Sequence, residues 1–255
     1  MRHPHRDYGS AGLVGLCTPQ ANPTVEAEFR LLMPDTVSPV VTRLTSRADE
    51  PRQRLIDYTE TLAASLDAFD TLATDVIAFA CTGSAYLVGA AREHALVELE
   101  QERRGVPVIS ATAAIDSALR HIGARRIALY APYPDWLVEA ATAYWSARGY
   151  QVARRGRVRT QSADTRSIYA LGSADARRML AAEAPAGVDA VVLSGTGMPT
   201  LPLVLDHPEF DAAPVLSSNW CLAGSVADAL GVTIDLDEVR RRLAAARGPD
   251  SGTEV

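Results

Sequence analysis

Two short segments of this 255-residue chain carry residue types suited to binding and activating a small acid. The first is Cys81-Thr82-Gly83-Ser84, which follows the apolar run DVIAFA and precedes an amphipathic stretch. The second is Gly195-Thr196-Gly197, which follows DAVVLS. A cysteine between a strand and a helix meets the free N–H groups and partial positive charge of the helix start, which lower a thiol's pKa and favour the thiolate. The same N–H groups, with the hydroxyls of Thr82 and Ser84, can take a carboxylate. The Gly195-Thr196-Gly197 turn offers its backbone and the Thr196 hydroxyl in the same way. Two such donor sets facing one cavity suit a small dicarboxylate. They also suit the dianion formed when a carbon beside a carboxylate loses a proton or CO2. The alternative for Cys81 is an inert buried thiol; its place at a strand end favours function.

Other candidates are read the same way. Asn22, in TPQANPT, is either a carboxylate donor or a helix N-cap ahead of Pro23. Tyr133 follows a strand and is either a hydroxyl donor or a surface turn residue. Cys17 ends a strand and reads as core, and Cys221 as helix packing. His94, His121 and His207 have no partner at metal-ligand spacing, so no metal is expected. The glycines of GSAGLVG precede a strand instead of following one, which fails the context of a dinucleotide fingerprint.

Composition narrows the chemistry. All 25 residues counted as Lys+Arg are arginine. Without a lysine the chain cannot hold pyridoxal phosphate or a carbonyl substrate as a Schiff base, and cannot build a P-loop or a kinase site. No cofactor is expected. A net charge of −6 with scattered arginines argues against nucleic acid. No apolar run reaches the ~20 residues of a membrane span, and MRHPHRDYGS lacks a signal peptide's apolar centre. Three cysteines without metal spacing predict a reduced, cytoplasmic protein. A homo-oligomer is left open.

The elements that must position these residues alternate. Strands are expected at 12–18, 37–44 (weakened by Pro39), 75–81, 106–110, 126–131, 150–153, 188–194 and 215–217. Helices are expected at 52–73, 84–103, 111–122, 135–148, 173–183 and 220–230. This alternation predicts parallel sheets with helices on both faces. Residues 1–10 and 248–255 read as disordered tails. An internal repeat is legible: Asp75 to Gly83 matches Asp189 to Gly197 at an offset of 114, Leu16 to Pro19 matches Leu129 to Pro132 at 113, and Pro107 to Ser110 matches Pro214 to Ser217 at 107. Two pseudo-symmetric α/β halves are therefore expected, one from 11–110 plus about 217–247 and one from 111–216. Ligands bind beyond the carboxyl ends of such strands. Further pocket walls are expected near 41–45 and 86–87.

The chain resembles the Asp/Glu racemase superfamily, in the branch that holds maleate cis-trans isomerase and arylmalonate decarboxylase. The resemblance runs from about Gly12 to Gly231. It rests on Thr18 to Glu26, Ala80 to Ser84, Gly123 to Tyr133, Leu193 to Gly197 and Leu216 to Asn219. It implies two flavodoxin-like halves with cofactor-free chemistry in the cleft between them. Thr82, Gly83, Tyr133, Thr196 and Gly197 would form the carboxylate and dianion cradle, and Asn22 would hold the other carboxylate. The chain departs from both patterns of that branch: arylmalonate decarboxylase carries its one cysteine in the second half and glycine in the first, the reverse of this chain. Racemases and isomerases of this group carry a cysteine in each half, whereas here Gly195 stands where the second would lie. That puts two-base racemisation in doubt. The expected function is decarboxylation of a substituted malonate with Cys81 as the sole catalytic thiol. Maleate-type isomerisation, by reversible addition of Cys81 to the double bond, is the alternative. A carboxylate-binding protein without catalysis is a third reading.

Overall fold

The computed structural model describes residues 6–160, 162, 164–183 and 185–247. The chain begins with β1 (Gly12–Pro19), α1 (Thr24–Leu32), β2 (Val37–Leu44), α2 (Pro51–Glu60), α3 (Leu62–Asp67), β3 (Val76–Phe79), α4 (Thr82–Val88), α5 (Ala90–Arg104) and β4 (Val108–Ser110). After α6 (Ala111–His121) come β5 (Arg126–Ala131), α7 (Asp135–Ala147), β6 (Gln151–Arg157), a 3-10 helix (Thr165–Ala170), α8 (Ser173–Glu183) and β7 (Ala190–Leu193). The chain ends with α9 (Leu201–Asp206), β8 (Glu209–Phe210), β9 (Ala213–Ser217), α10 (Ser218–Leu230) and α11 (Leu236–Arg247).

The repeat seen in the sequence is a repeat of topology. One parallel sheet has the order β2-β1-β3-β4, and the other has β6-β5-β7-β9 in parallel with β8 added antiparallel. The matched segments fall on β1 and β5, on β3 and β7, and on β4 and β9. The repeated aspartates share one task. Asp75 Oδ2 accepts the Leu13 N–H at 2.7 Å and its own N–H reaches the Leu13 carbonyl at 2.8 Å. Asp189 Oδ2 accepts the N–H groups of Arg125 and Arg126 at 2.7 Å each, and its N–H reaches the Arg126 carbonyl at 2.7 Å. Each aspartate thus fixes the start of its half's central strand, which sets the register that brings the strand ends level. Beyond the sheets, α10 packs on β3 and β4 as well as β9, and α6 on β4 and β9, so the halves share a helical seam.

Several elements differ from the sequence reading. The single helix expected at 52–73 is two, because Thr61 turns its hydroxyl back onto the Asp57 carbonyl at 2.7 Å and leaves helical geometry. The helix expected at 84–103 breaks at Gly89, whose φ of +82° is open to glycine. Pro39 is tolerated because β2 is an edge strand. The strand expected at 150–153 extends to Arg157. Of the expected tail, 1–5 lie outside the described residues, while Arg6 donates to Asp75 at 3.0 Å and Gly9 is buried. The tail expected at 248–255 also lies outside the described residues.

A buried carboxylate ties the halves together. Glu28 of α1 accepts the N–H groups of Thr200 at 2.7 Å and Leu201 at 2.8 Å, and the Asn219 Nδ2 of α10 at 2.7 Å. Burial raises its pKa above the usual 4.5, against the lowering effect of these three bonds. Glu28→Ala leaves three buried donors without an acceptor. Unfolding free energy should fall by about 3 kcal/mol or more, since each unsatisfied group costs about 1–3 kcal/mol. Because the folded pKa is the higher one, the native state holds more protons than the unfolded chain between the two values, so this group's contribution declines as pH rises. Glu28→Gln should therefore flatten the pH dependence of urea midpoints above about pH 4.5. An unchanged slope would contradict this assignment.

Candidate active site

The carboxyl ends of β1, β3, β5 and β7 meet at one small cavity of about 30 Å³ that opens to solvent. From the first half it takes Pro19, Asn22, Arg54, Leu55, Tyr58, Cys81 and Gly83. From the second it takes Tyr133, Leu137, Thr165, Arg166, Ile168, Tyr169, Gly195, Thr196 and Gly197. Seven of the nine site residues expected from sequence therefore line it: Cys81, Asn22, Gly83, Tyr133, Gly195, Thr196 and Gly197.

Thr82 and Ser84 stand behind the lining. The Thr82 hydroxyl pairs with the Tyr133 hydroxyl at 2.6 Å, and Ser84 Oγ donates to the Cys81 carbonyl at 3.2 Å. Both hold their neighbours in place. Asn22 serves both roles considered for it. Its Oδ1 accepts the N–H groups of Thr24 and Val25 at 2.9 and 3.3 Å, which anchors α1, and its Nδ2 donates to Thr196 Oγ1 at 3.2 Å. The mirrored turn is also partly committed. Thr196 Oγ1 donates to the Ala80 carbonyl at 3.0 Å, and the Gly195 N–H donates to Ser218 Oγ at 3.1 Å. Gly197 gives its carbonyl to Thr24 Oγ1 at 2.8 Å. The second turn thus fastens the halves together as well as lining the cavity.

Cys81 caps α4 in extended conformation and is 4% exposed. Burial pushes its thiol pKa above the ordinary 9.0, and this outweighs the Ser84 hydroxyl and the N–H groups of Ser84 and Gly83, which pull it down. The expectation that the helix start alone would favour the thiolate is corrected accordingly: in a water-poor site, desolvation of the charge dominates. Burial likewise raises Tyr133, and raises Tyr58 to about 12, so both phenols are neutral hydrogen-bond donors near neutral pH. Opposite Cys81, Gly195 has a φ of +114°. A Cβ there would lie 3.0 Å from Pro132 Cδ and 3.5 Å from Tyr133 Oη.

The walls differ from the sequence reading. They come not from 41–45 and 86–87 but from α2, Leu137 and the 3-10 helix. Tyr86 lies behind the site, where its hydroxyl meets Ser194 Oγ at 2.7 Å and receives Trp145 Nε1 at 3.1 Å. Sequence reasoning passed over Arg54, Leu55 and Tyr58, which share one face of α2 at helical spacing. It also left 165–169 as an unassigned polar segment. The α2 face was legible as amphipathic, but nothing local said that it covers a cavity. Among the described residues, no three His, Cys, Asp or Glu side chains gather as a metal site would require.

Alkylation tests the state of the thiol. Cys81 should react faster than Cys17, which is fully buried and does not line the cavity. Its rate should climb about tenfold per pH unit from about pH 7 to 9 without levelling, followed by peptide mass spectrometry. A plateau below pH 9 would mean an activated thiolate in the free protein.

Comparison with known proteins agrees with this geometry. The family model described as arylmalonate decarboxylase matches residues 14–240. A maleate isomerase of Nocardia farcinica (strain IFM 10152) is 30% identical over 244 residues, which is 90% of this chain and 94% of the relative. A maleate isomerase of Geobacillus stearothermophilus is 27% identical over 222 residues, 80% of this chain and 86% of the relative. Among solved structures, a cysteine-to-serine mutant of the Nocardia farcinica maleate cis-trans isomerase, with a covalently bound succinylcysteine intermediate, superposes with a TM-score of 0.75. It is 25% identical and covers 90% of this chain and 98% of that one. With a family match spanning both halves and a relative 30% identical along most of its length, the chain belongs to the arylmalonate decarboxylase family, in the superfamily branch that also holds the maleate cis-trans isomerases, and is an enzyme.

Proposed function

We propose that this enzyme is a cis-trans isomerase for a small unsaturated dicarboxylate of the maleate type, and that Cys81 acts as its covalent nucleophile. The observation that carries the reading is the single thiol lining a cavity built from both halves, with Gly195 in place of a second. The two maleate isomerase relatives support it. A structural relative lacking one cysteine yet bearing succinylcysteine supports the sufficiency of one thiol for adduct formation.

In the reaction, Cys81 first gives its proton to solvent, and the resulting thiolate forms an S–C bond to one alkene carbon. The π electrons move onto the neighbouring carbon and its carboxylate, giving an enediolate. Backbone N–H groups at Gly83 and the neutral Tyr133 hydroxyl stabilise that charge in a site that admits little water. The former double bond, now single, rotates. The electron pair returns, the S–C bond breaks, and the trans isomer leaves with the thiolate restored. No net proton is gained or lost, so no second thiol is required. The substrate is held by Gly83 and Tyr133, with Asn22, Thr196 and Gly197 lining the cavity beside it and Thr82 and Ser84 positioning the groups they touch.

Decarboxylation of a substituted malonate, the first expectation from sequence, is the second reading. Leu55, Leu137 and Ile168 in the wall favour it, because they are apolar enough to receive a substituent. Incubation with maleate and with substituted malonates, followed by proton NMR, separates the two. Fumarate is expected; loss of CO2 from a malonate with maleate unchanged would establish the other reading. Cys81→Ala should lower turnover by about 10³-fold or more with the fold intact; full activity would exclude the covalent route.

Gly195→Cys tests whether a second thiol is merely missing. The positive φ and the closeness of Pro132 predict a destabilisation of about 1–3 kcal/mol in a thermal melt, with no gain in turnover. A stable, faster variant would show that the turn accepts a second thiol after all.

A further inference from the structure

The cavity wall carries a feature that the cradle does not use. Two of its lining residues are cationic, Arg54 and Arg166, and none is a carboxylate. Arg54 is unusual in its burial: its side chain is 3% exposed. Long charged side chains are rarely so buried unless paired. Arg54 donates to Asp164 Oδ1 at 2.7 Å and more weakly to the Ala48 carbonyl at 3.4 Å. Asp164 is shared, however. Arg166 also donates to it, through Nε at 3.0 and 3.2 Å and Nη2 at 2.6 Å. Asp49 acts on Arg166 only as a lesser influence. One carboxylate thus serves two guanidinium groups, and the cavity wall is left with an excess of positive charge.

The other candidate for the second carboxylate is largely spent. Asn22 uses Oδ1 on two backbone N–H groups and one Nδ2 hydrogen on Thr196, which leaves at most one donor of the four bonds an amide can make. One neutral donor is little compensation for burying a full negative charge. The α2 and 3-10 segments supply what is lacking. They place Arg54 and Arg166, together with the hydroxyl-bearing Tyr58, Thr165 and Tyr169, around the same cavity. Tyr169 also packs against Gly197, where an added Cβ would lie 2.7 Å from its ring, so the 3-10 segment is seated directly on the second turn.

We infer that Arg54, assisted by Arg166, binds the second carboxylate of the substrate and makes the site select dianionic acids over their half-amides. This deepens the isomerase reading and rests on it for the size of the substrate. The binding itself is testable apart from turnover.

Calorimetric titration of the full-length protein with succinate and with succinamate, its half-amide, uses ligands that cannot isomerise. The wild type should favour succinate. Arg54→Gln should weaken succinate by about tenfold to hundredfold, the worth of hydrogen bonds to a charged group, and leave succinamate within about threefold. Arg166→Gln should weaken succinate by a smaller factor. Its side chain is 52% exposed, so general unfolding does not account for such a loss. Equal weakening of both ligands, a succinate preference kept in both variants, or no succinate binding by the wild type would each overturn the inference. Selective loss at Arg54 in a protein that leaves maleate unchanged would uphold the inference and sink the isomerase reading.

Discussion

The Thr196 hydroxyl holds the two halves of this enzyme at the point where they meet. It donates to the carbonyl of Ala80, the residue before the thiol, and accepts from Asn22. The Thr196 carbonyl takes a hydrogen from Asn219, which also binds Glu28, which in turn receives the first N–H groups of α9. All of these groups are buried. In such surroundings an unmet donor or acceptor costs more than a met one gains, so these bonds constrain the seam closely, although Asn219 Oδ1 has no partner within it among the described residues. That requirement fixes how β7 and its turn sit against β1 and β3, and the cavity is what the fixed arrangement leaves open.

The same dryness sets the chemistry. A thiol at a helix start ordinarily gains acidity, yet here burial outweighs that effect and pushes the Cys81 thiol pKa above the ordinary value. On the proposed route, burial of the site would strengthen each hydrogen bond to a developing enediolate. Gly195 lines the same cavity in a backbone conformation that side chains rarely adopt. The proposed addition and elimination needs one thiol, where a two-base exchange would require a second acid.

Much of this was legible before any coordinates. The repeated Asp, Thr-Gly and Pro punctuation marked equivalent strands because each half solves the same problem, fixing a central parallel strand at its start and opening a turn at its end. Cys81 and Gly195 could be placed opposite one another on that basis. The helix breaks at Thr61 and Gly89 were harder to see, since the apolar spacing runs through both. The 3-10 helix carried no periodicity, and so gave no sign that it would close the site.

The sequence by itself determined what this protein does without and where its thiol must stand. Having no lysine, it cannot tether pyridoxal phosphate, and the strand-to-helix register puts Cys81 at a carboxyl edge. These are local facts, decided by residue type and by neighbours a few positions away. Only the tertiary structure decided that Thr82 and Ser84 turn away from the cavity, that the Gly195 N–H is committed to Ser218, and that Arg54 enters the wall. The last two depend on partners elsewhere in the chain, as Gly195 and Ser218 are 23 residues apart and Arg54 and Asp164 are 110 apart. Burial, which sets both the thiol's acidity and the worth of every charge near it, exists only once those distant segments have packed.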